Sequence, residues 1–244
     1  RHLHPFFMLQ RLSNNAQALS AEALQIYGDS ATLAGANAGA QALAAAQAAL
    51  AEGAVDVAVV TAYDTLVEAE VILDLGMRGV LSAATSIDAL IAPYDEAACG
   101  AVPGEASATL ILARPNSFGP DDALLQATEG ADGSPGAPTA QLLGRLAARL
   151  LAQDTVRIFD GAALALPAID KSECTELGLL HAAPIMTATQ SALGQLGAAA
   201  PLVQAALLGE FLRRGTLPGI AGLRAPTTSG KGPQLLLDNV EINE

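Results

Sequence analysis

The sequence predicts an α/β fold whose sheets are covered by helices on both sides. Three observations lead there. Short β-branched runs alternate along the chain with Ala- and Leu-rich helical patterns. The strand candidates are apolar on both faces, as strands between two helical layers are. A Gly-, Pro- and Asp-rich stretch, residues 115–138, divides two halves of comparable content, which hints at an internal duplication.

The elements follow in order. Residues 38–51 are almost all alanine and leucine, a helix that neighbours can approach closely. Residues 54–62 (AVDVAVVTA) follow Gly53 and read as a buried strand. Residues 107–113 (SATLILA) are a second strand, expected in the same sheet. Residues 124–128 and 155–159 are a third and fourth, the latter belonging to a second sheet. Residues 139–153 and 201–214 are helical patterns. Pro201 suits a first-turn position and Gly215 a C-terminal stop. Residues 233–242 close the chain as a strand.

Composition narrows the function. The chain of 244 residues is 51% hydrophobic and 15% charged, with mean hydropathy +0.37, too apolar for disorder. No uncharged apolar run reaches the roughly 18 residues that cross a bilayer, so membrane insertion is not expected. Net charge is −13 and no Lys/Arg cluster exists, which argues against nucleic acid. Cys99 and Cys174 lie far apart, so a reducing cytoplasm fits better than a disulfide framework. No signal peptide is visible.

Four segments carry a recognisable order of residues: 32–43 (TLAGANAGAQAL), 93–112 (PYDEAACGAVPGEASATLIL), 159–173 (FDGAALALPAIDKSE) and 189–200 (TQSALGQLGAAA). Together they resemble the β-ketoacyl synthase family. In the first, the family has a cysteine in an A-C-x-S-G turn before a helix, where the helix N-terminus activates the thiol. Gly39 matches the glycine, and Ala36 stands at the cysteine. The second matches P-F-D-x-x-x-x-G-x-x-x-G-E-G through Asp95, Gly100, Gly104 and Glu105, with Ala106 at the last glycine. The third matches H-G-T-x-T-x-x-x-D-x-x-E at Asp170 and Glu173. Ala162 stands at the histidine, and Ala163, Leu164 and Leu166 replace the glycine and two threonines. The fourth matches T-K-x-x-x-G-H, with Gln190 at the lysine and Gln195 at the second histidine. Residues 227–237 match the closing motif loosely. Ser229 and Lys231 fall at its aromatic gate.

The resemblance implies a thiolase-like, layered αβαβα fold whose N-terminal half is incomplete. Residues 1–115 are the remainder of that half, 116–138 a connecting segment, and 139–244 the C-terminal half. It implies no cofactor and no metal. Asp95, Gly100, Gly104, Glu105, Asp170 and Glu173 are then structural motif residues. A thiol and two imidazoles are missing at Ala36, Ala162 and Gln195, so no acyl transfer and no carbanion stabilisation is expected from those positions.

The role that fits is a chain-length-factor-like subunit: a pseudoenzyme paired with an active ketosynthase. It helps shape the acyl tunnel in type II fatty acid, polyketide or polyene biosynthesis on chains held by acyl carrier protein. Phe6 and Phe7 of an H-P-F-F segment, with Thr32 and Ala34 before the first turn, are the tunnel and interface candidates. Residues 30–34 are expected as a strand at the pseudo-twofold axis. The alternative is a scaffold or stabilising subunit of a carrier-protein-dependent complex without a substrate role. A residual enzyme is the third reading, for which the sequence offers no catalytic pair. His181 is read as a structural or surface residue, and Cys174 as a buried helix residue.

Overall fold

The computed structural model describes residues 12, 14–115, 117, 119, 158–178, 185–226 and 232–242. Phe6, Phe7 and His181 lie outside them, as do the expected strand 124–128, the helix 139–153 and the gate positions Ser229 and Lys231. So does nearly all of the connecting segment.

A first helix, α1 (Asn15–Leu24), buries no residue. The chain then runs to the turn at 35–37. Helix α2 (Ala38–Ala51) occupies the range its alanines predict. Its end is a Schellman closure: the N–H of Ala54 donates to Ala49 O and that of Gly53 to Leu50 O, with Gly53 at φ +72°. That closure consumes the start of the expected strand, so β1 runs Val57–Thr65 rather than 54–62. After α3 (Ala69–Met77) and a 3-10 turn (Ile87–Ala89) comes β2 (Glu105–Ala113). It pairs antiparallel with β1 from Val57↔Ala113 to Thr65↔Glu105. The pairing of Asp64 and Thr65 with Ala106 and Glu105 is what starts β2 two residues before 107.

The second sheet is parallel. Strand β3 (Ile158–Asp160) pairs with β4 (Ile185–Thr187), and β4 with β6 (Gln234–Leu235). Helix α4 (Pro167–Leu177) lies between β3 and β4, α5 (Gln190–Leu193) follows β4, and α6 (Ala200–Arg214) ends on left-handed Gly215. The expected single strand 233–242 is two short ones. After β6 a bend at Leu237 and Asp238 intervenes, and β7 (Val240–Glu241) pairs antiparallel with β5 (Thr216–Leu217).

Two cores hold these layers. Leu43, Val60, Ala62 and Leu202 form one, so α2 and α6 share the inner face of the β1–β2 ladder. Gln204 of α6 reaches the carbonyls of Asp160 and Gly161 on β3 (3.4 and 3.0 Å). The α2–α6 pair therefore sits between two sheets. Tyr94, Ala163, Cys174, Leu177, Met186, Ala188 and Ile220 form the other core, where α4 covers the second sheet. This is the layered α/β arrangement expected. The outer face of β1–β2 is bare among the described residues: Val57, Val59, Tyr63 and Ile111 are exposed.

One expected strand is not formed. Residues 30–34, including Thr32 and Ala34, are exposed and irregular. A strand needs a ladder partner, and no backbone hydrogen bond from residues 28–34 is found among the described residues. No described helix is long and apolar enough to cross a membrane.

Candidate functional site

The loop 161–166 is the centre of the site, and its backbone is held at nearly every group. Gly161 N–H donates to Thr187 O (3.0 Å), and a Cβ at Gly161 would overlap the Tyr94 hydroxyl. Ala162 N–H donates to Glu173 Oε1 (3.0 Å), and Ala163 N–H to the Tyr94 oxygen (2.9 Å). Ala165 O accepts Gly100 N–H (2.9 Å). Ala163 and Ala165 adopt φ +51° and +54°. A left-handed alanine costs about 1–2 kcal/mol. Ala163 stands where the resemblance places a glycine, so the chain keeps the backbone shape that glycine allows and has lost the glycine.

Two carboxamides close on this loop. Gln190 Nε2 donates to Ala162 O (3.0 Å), and its Oε1 accepts Leu196 N–H (3.1 Å), so both ends are used. Gln195 Nε2 donates to Ala163 O at 2.5 Å and lies 3.5 Å from Ala162 O. Gln195 is itself fixed by backbone: its N–H donates to Val102 O and its O accepts Gly104 N–H, each 2.8 Å. A Cβ at Gly104 would come within 2.8 Å of Leu193 O, which explains the glycine. Gly100 and Gly104 are thus packing positions of the 93–105 segment. Glu105 is exposed at the ladder end, accepting from Thr65 Oγ1 (3.1 Å).

Ala36 lies on the exposed turn just before α2. Gly39, one helical turn on, has no room for a Cβ because Ala198 O fills the space. Asp64 at the end of β1 clamps that turn, accepting Ala198 N–H at 2.7 Å. Helix α2 therefore packs at Gly39 on the turn that follows Gln195, and Gln195 in turn lies against Ala162. Around Ala162, the side chains of Gln190 and Gln195 offer two neutral amides. An amide donates a hydrogen bond, but it carries no charge and exchanges no proton at neutral pH.

The titratable groups lie behind the loop. Tyr94 is wholly buried, and burial first, then the Glu173 charge, holds its phenol far above the usual range. Its hydroxyl donates to Glu173 Oε2 (2.6 Å) and its N–H to Asp170 Oδ2 (3.0 Å). Burial raises the pKa of Glu173, Asp170 and Asp160, the last despite two bonds from Thr189 (2.8 and 2.6 Å). Burial pushes the Cys174 thiol up to about 12, which leaves it unreactive. Asp95 goes the other way. Burial raises it, but amides of Ala225, Ala97 and Arg224 and the Arg224 charge outweigh that, and its pKa is lowered. A cleft of about 400 Å³ opens beside the loop, walled by Leu90, Pro93, Val102 and Ala163, with Gln195 and Arg224 at polar positions.

Sequence reasoning missed Tyr94, Asp64, Asp160 and Thr189. The signal for Tyr94 was a hydroxyl added where the motif has phenylalanine. Asp64 and Asp160 carried none.

With this geometry the comparisons become specific. Residues 2–117 match the family model "Beta-ketoacyl synthase, N-terminal domain". Over those residues the chain is similar to the β-ketoacyl synthase family. The ketosynthase fold extends over the rest. A ketosynthase from module 6 of the bacillaene synthase of Bacillus subtilis 168 superposes with TM-score 0.81 at 15% identity, covering 99% of this chain and 47% of that one. An oxazolomycin ketosynthase domain from Streptomyces albus JA3453 gives 0.78 at 16%, covering 95% and 45%. The ishigamide ketosynthase/chain length factor gives 0.82 at 17%, covering 98% and 62%. The chain spans about half the length of the first two. No curated protein matches it significantly in sequence.

Proposed function

We propose that this chain is the ketosynthase-like, catalytically inactive part of a chain-length-factor-type subunit. Such a subunit pairs with an active ketosynthase and helps shape the tunnel for a growing acyl chain, which acyl carrier protein delivers to the complex. One observation carries the reading. Where Ala162 and Gln195 meet, no thiol or imidazole of the described residues bonds to the 161–166 loop, and the sequence has alanine at the expected cysteine, Ala36. The surrounding backbone is nevertheless held at nearly every group. Condensation needs a nucleophile and donors that follow developing charge, and two methyls and two amides supply neither. The similarity to the ishigamide ketosynthase/chain length factor supports the pairing.

Co-expression with a full-length ketosynthase that has its cysteine and both histidines tests this. The expected result is a stable heterodimer with a total buried interface above about 2,000 Å². Products should change length when side chains at that interface are exchanged. A heterodimer whose products never change length supports a scaffold role instead. A chain that stays monomeric in the presence of the ketosynthase refutes the pairing.

A further inference from the structure

Three non-glycine residues with left-handed backbone, Tyr94, Ala163 and Ala165, fall in one small network (φ +63°, +51° and +54°). Such conformations persist where the surroundings over-determine them. Here the surroundings are few. The Tyr94 hydroxyl is held on two sides, donating to Glu173 Oε2 and accepting from Ala163 N–H. The other Glu173 oxygen holds Ala162 N–H. Glu173 has no cationic partner among the described residues, so a phenol and an amide carry its charge. Gly161 is the one side-chain-free neighbour that lets the hydroxyl in.

We infer that the Tyr94–Glu173 pair is a latch between the 93–105 segment and the 161–166 loop, and that Tyr94 is a positioning residue of the site. By fixing the Ala162 and Ala163 amides it aims their carbonyls at Gln190 and Gln195, and so sets the floor of the cleft. This holds whether or not the chain pairs with a ketosynthase. A latch of this kind gives a local signature. Removing the hydroxyl frees the Ala163 N–H and leaves Glu173 with a single donor. It does not touch the Thr189 N–H, which Asp160 holds in the same half of the molecule.

The test is hydrogen exchange, read amide by amide by NMR, on the whole chain and its Tyr94→Phe variant. Exchange at Ala162 and Ala163 should quicken about tenfold, the loss of one buried hydrogen bond, while Thr189 holds its rate. Unchanged rates at Ala162 and Ala163 overturn the latch, and so does a uniform acceleration that includes Thr189. Should the phenylalanine variant not fold, Glu173→Gln answers the same question. Its Oε1 still accepts the phenol while its NH₂ faces the Ala162 amide. Protection should then fall at Ala162 and persist at Ala163. Equal loss at both, or loss at neither, overturns the inference.

Discussion

The Gln195 side-chain nitrogen lies 2.5 Å from the carbonyl oxygen of Ala163. The amide is thus spent on the protein's own backbone, at a position where the resemblance places a histidine. Its two N–H donors face the Ala163 and Ala162 carbonyls, at 2.5 and 3.5 Å, and so point away from a developing oxyanion. Restoring one reactive group should therefore leave the chain inert. Ala36→Cys is expected to react with iodoacetamide yet to show no condensation of malonyl and acyl carrier protein by mass spectrometry. Losing donors and acid–base groups costs about 10²–10⁴-fold each, so only Ala36→Cys with Ala162→His and Gln195→His should bring back measurable product. Product from the single variant would refute the assignment of the three positions.

The approach of α2 to the turn at Ala198 gives a stability prediction with its own control. Gly39→Ala drives a Cβ into Ala198 O, a backbone atom that cannot step aside. Overpacking of this kind costs about 1–3 kcal/mol, which lowers Tm by several degrees in a chain of this size. Gly76→Ala, in the last turn of α3, meets nothing nearer than Leu81 Cδ1 at 3.9 Å. It should gain roughly 0.5–1 kcal/mol from helix propensity. Differential scanning calorimetry of the two variants checks both signs. A tolerated Gly39→Ala would mean that the two halves do not meet at this turn.

How much of this was legible beforehand follows from the range of the interactions. Helix α2 and the β1–β2 pair could be read because alanine content and alternation are local signals. The start of β1 was missed by three residues, since the Schellman closure at Gly53 takes Ala54 into the helix end. The motif spacing located Asp170 and Glu173 but not what they hold. Tyr94 and Glu173 are 79 residues apart, and Asp64 and Ala198 are 134 apart. No periodicity encodes such pairs. The strand that the resemblance implied at 30–34 shows the converse limit: a segment makes no strand where no partner backbone lies alongside.

The buried carboxyls set an unusual pH dependence. Asp160, Asp170 and Glu173 have folded pKa values raised above the ordinary 3.8, 3.8 and 4.5. Their contribution to stability is whole below the unfolded values and is lost as pH rises through the folded ones. Asp95, lowered, contributes above 3.8 and loses it as pH falls through its folded value. The net charge of −13 adds repulsion that acid relieves. Stability should therefore peak in mild acid, at about pH 4–5. Tm measured from pH 4 to 8 should fall toward the alkaline end. Asp160→Asn still accepts the Thr189 N–H, turns the second bond round so that its NH₂ donates to the Thr189 hydroxyl, and removes the charge, so it should flatten that fall. An optimum at pH 7–8, with the same slope in the variant, contradicts the account.

The exposed segment before Ala36 separates folding from pairing. Residues 28–34 make no backbone hydrogen bond among the described residues, and Thr32 is exposed in an irregular stretch. Proline at Thr32 removes one N–H that nothing described uses, and its fixed φ suits an extended chain. Thr32→Pro should leave the stability of the isolated chain within about ±0.5 kcal/mol of its starting value, as surface substitutions do. If the chain pairs with a ketosynthase by adding this segment to a partner strand, the missing N–H breaks the ladder in its middle. Complex formation, followed by size-exclusion chromatography of the co-expressed pair, should then drop at least tenfold. Thr32→Val, which keeps the N–H and favours extended backbone, should retain it. A proline variant that pairs as well as its parent would move the interface away from Thr32 and Ala34. A proline variant that loses its own fold would show that residues 28–34 are held by contacts within the chain.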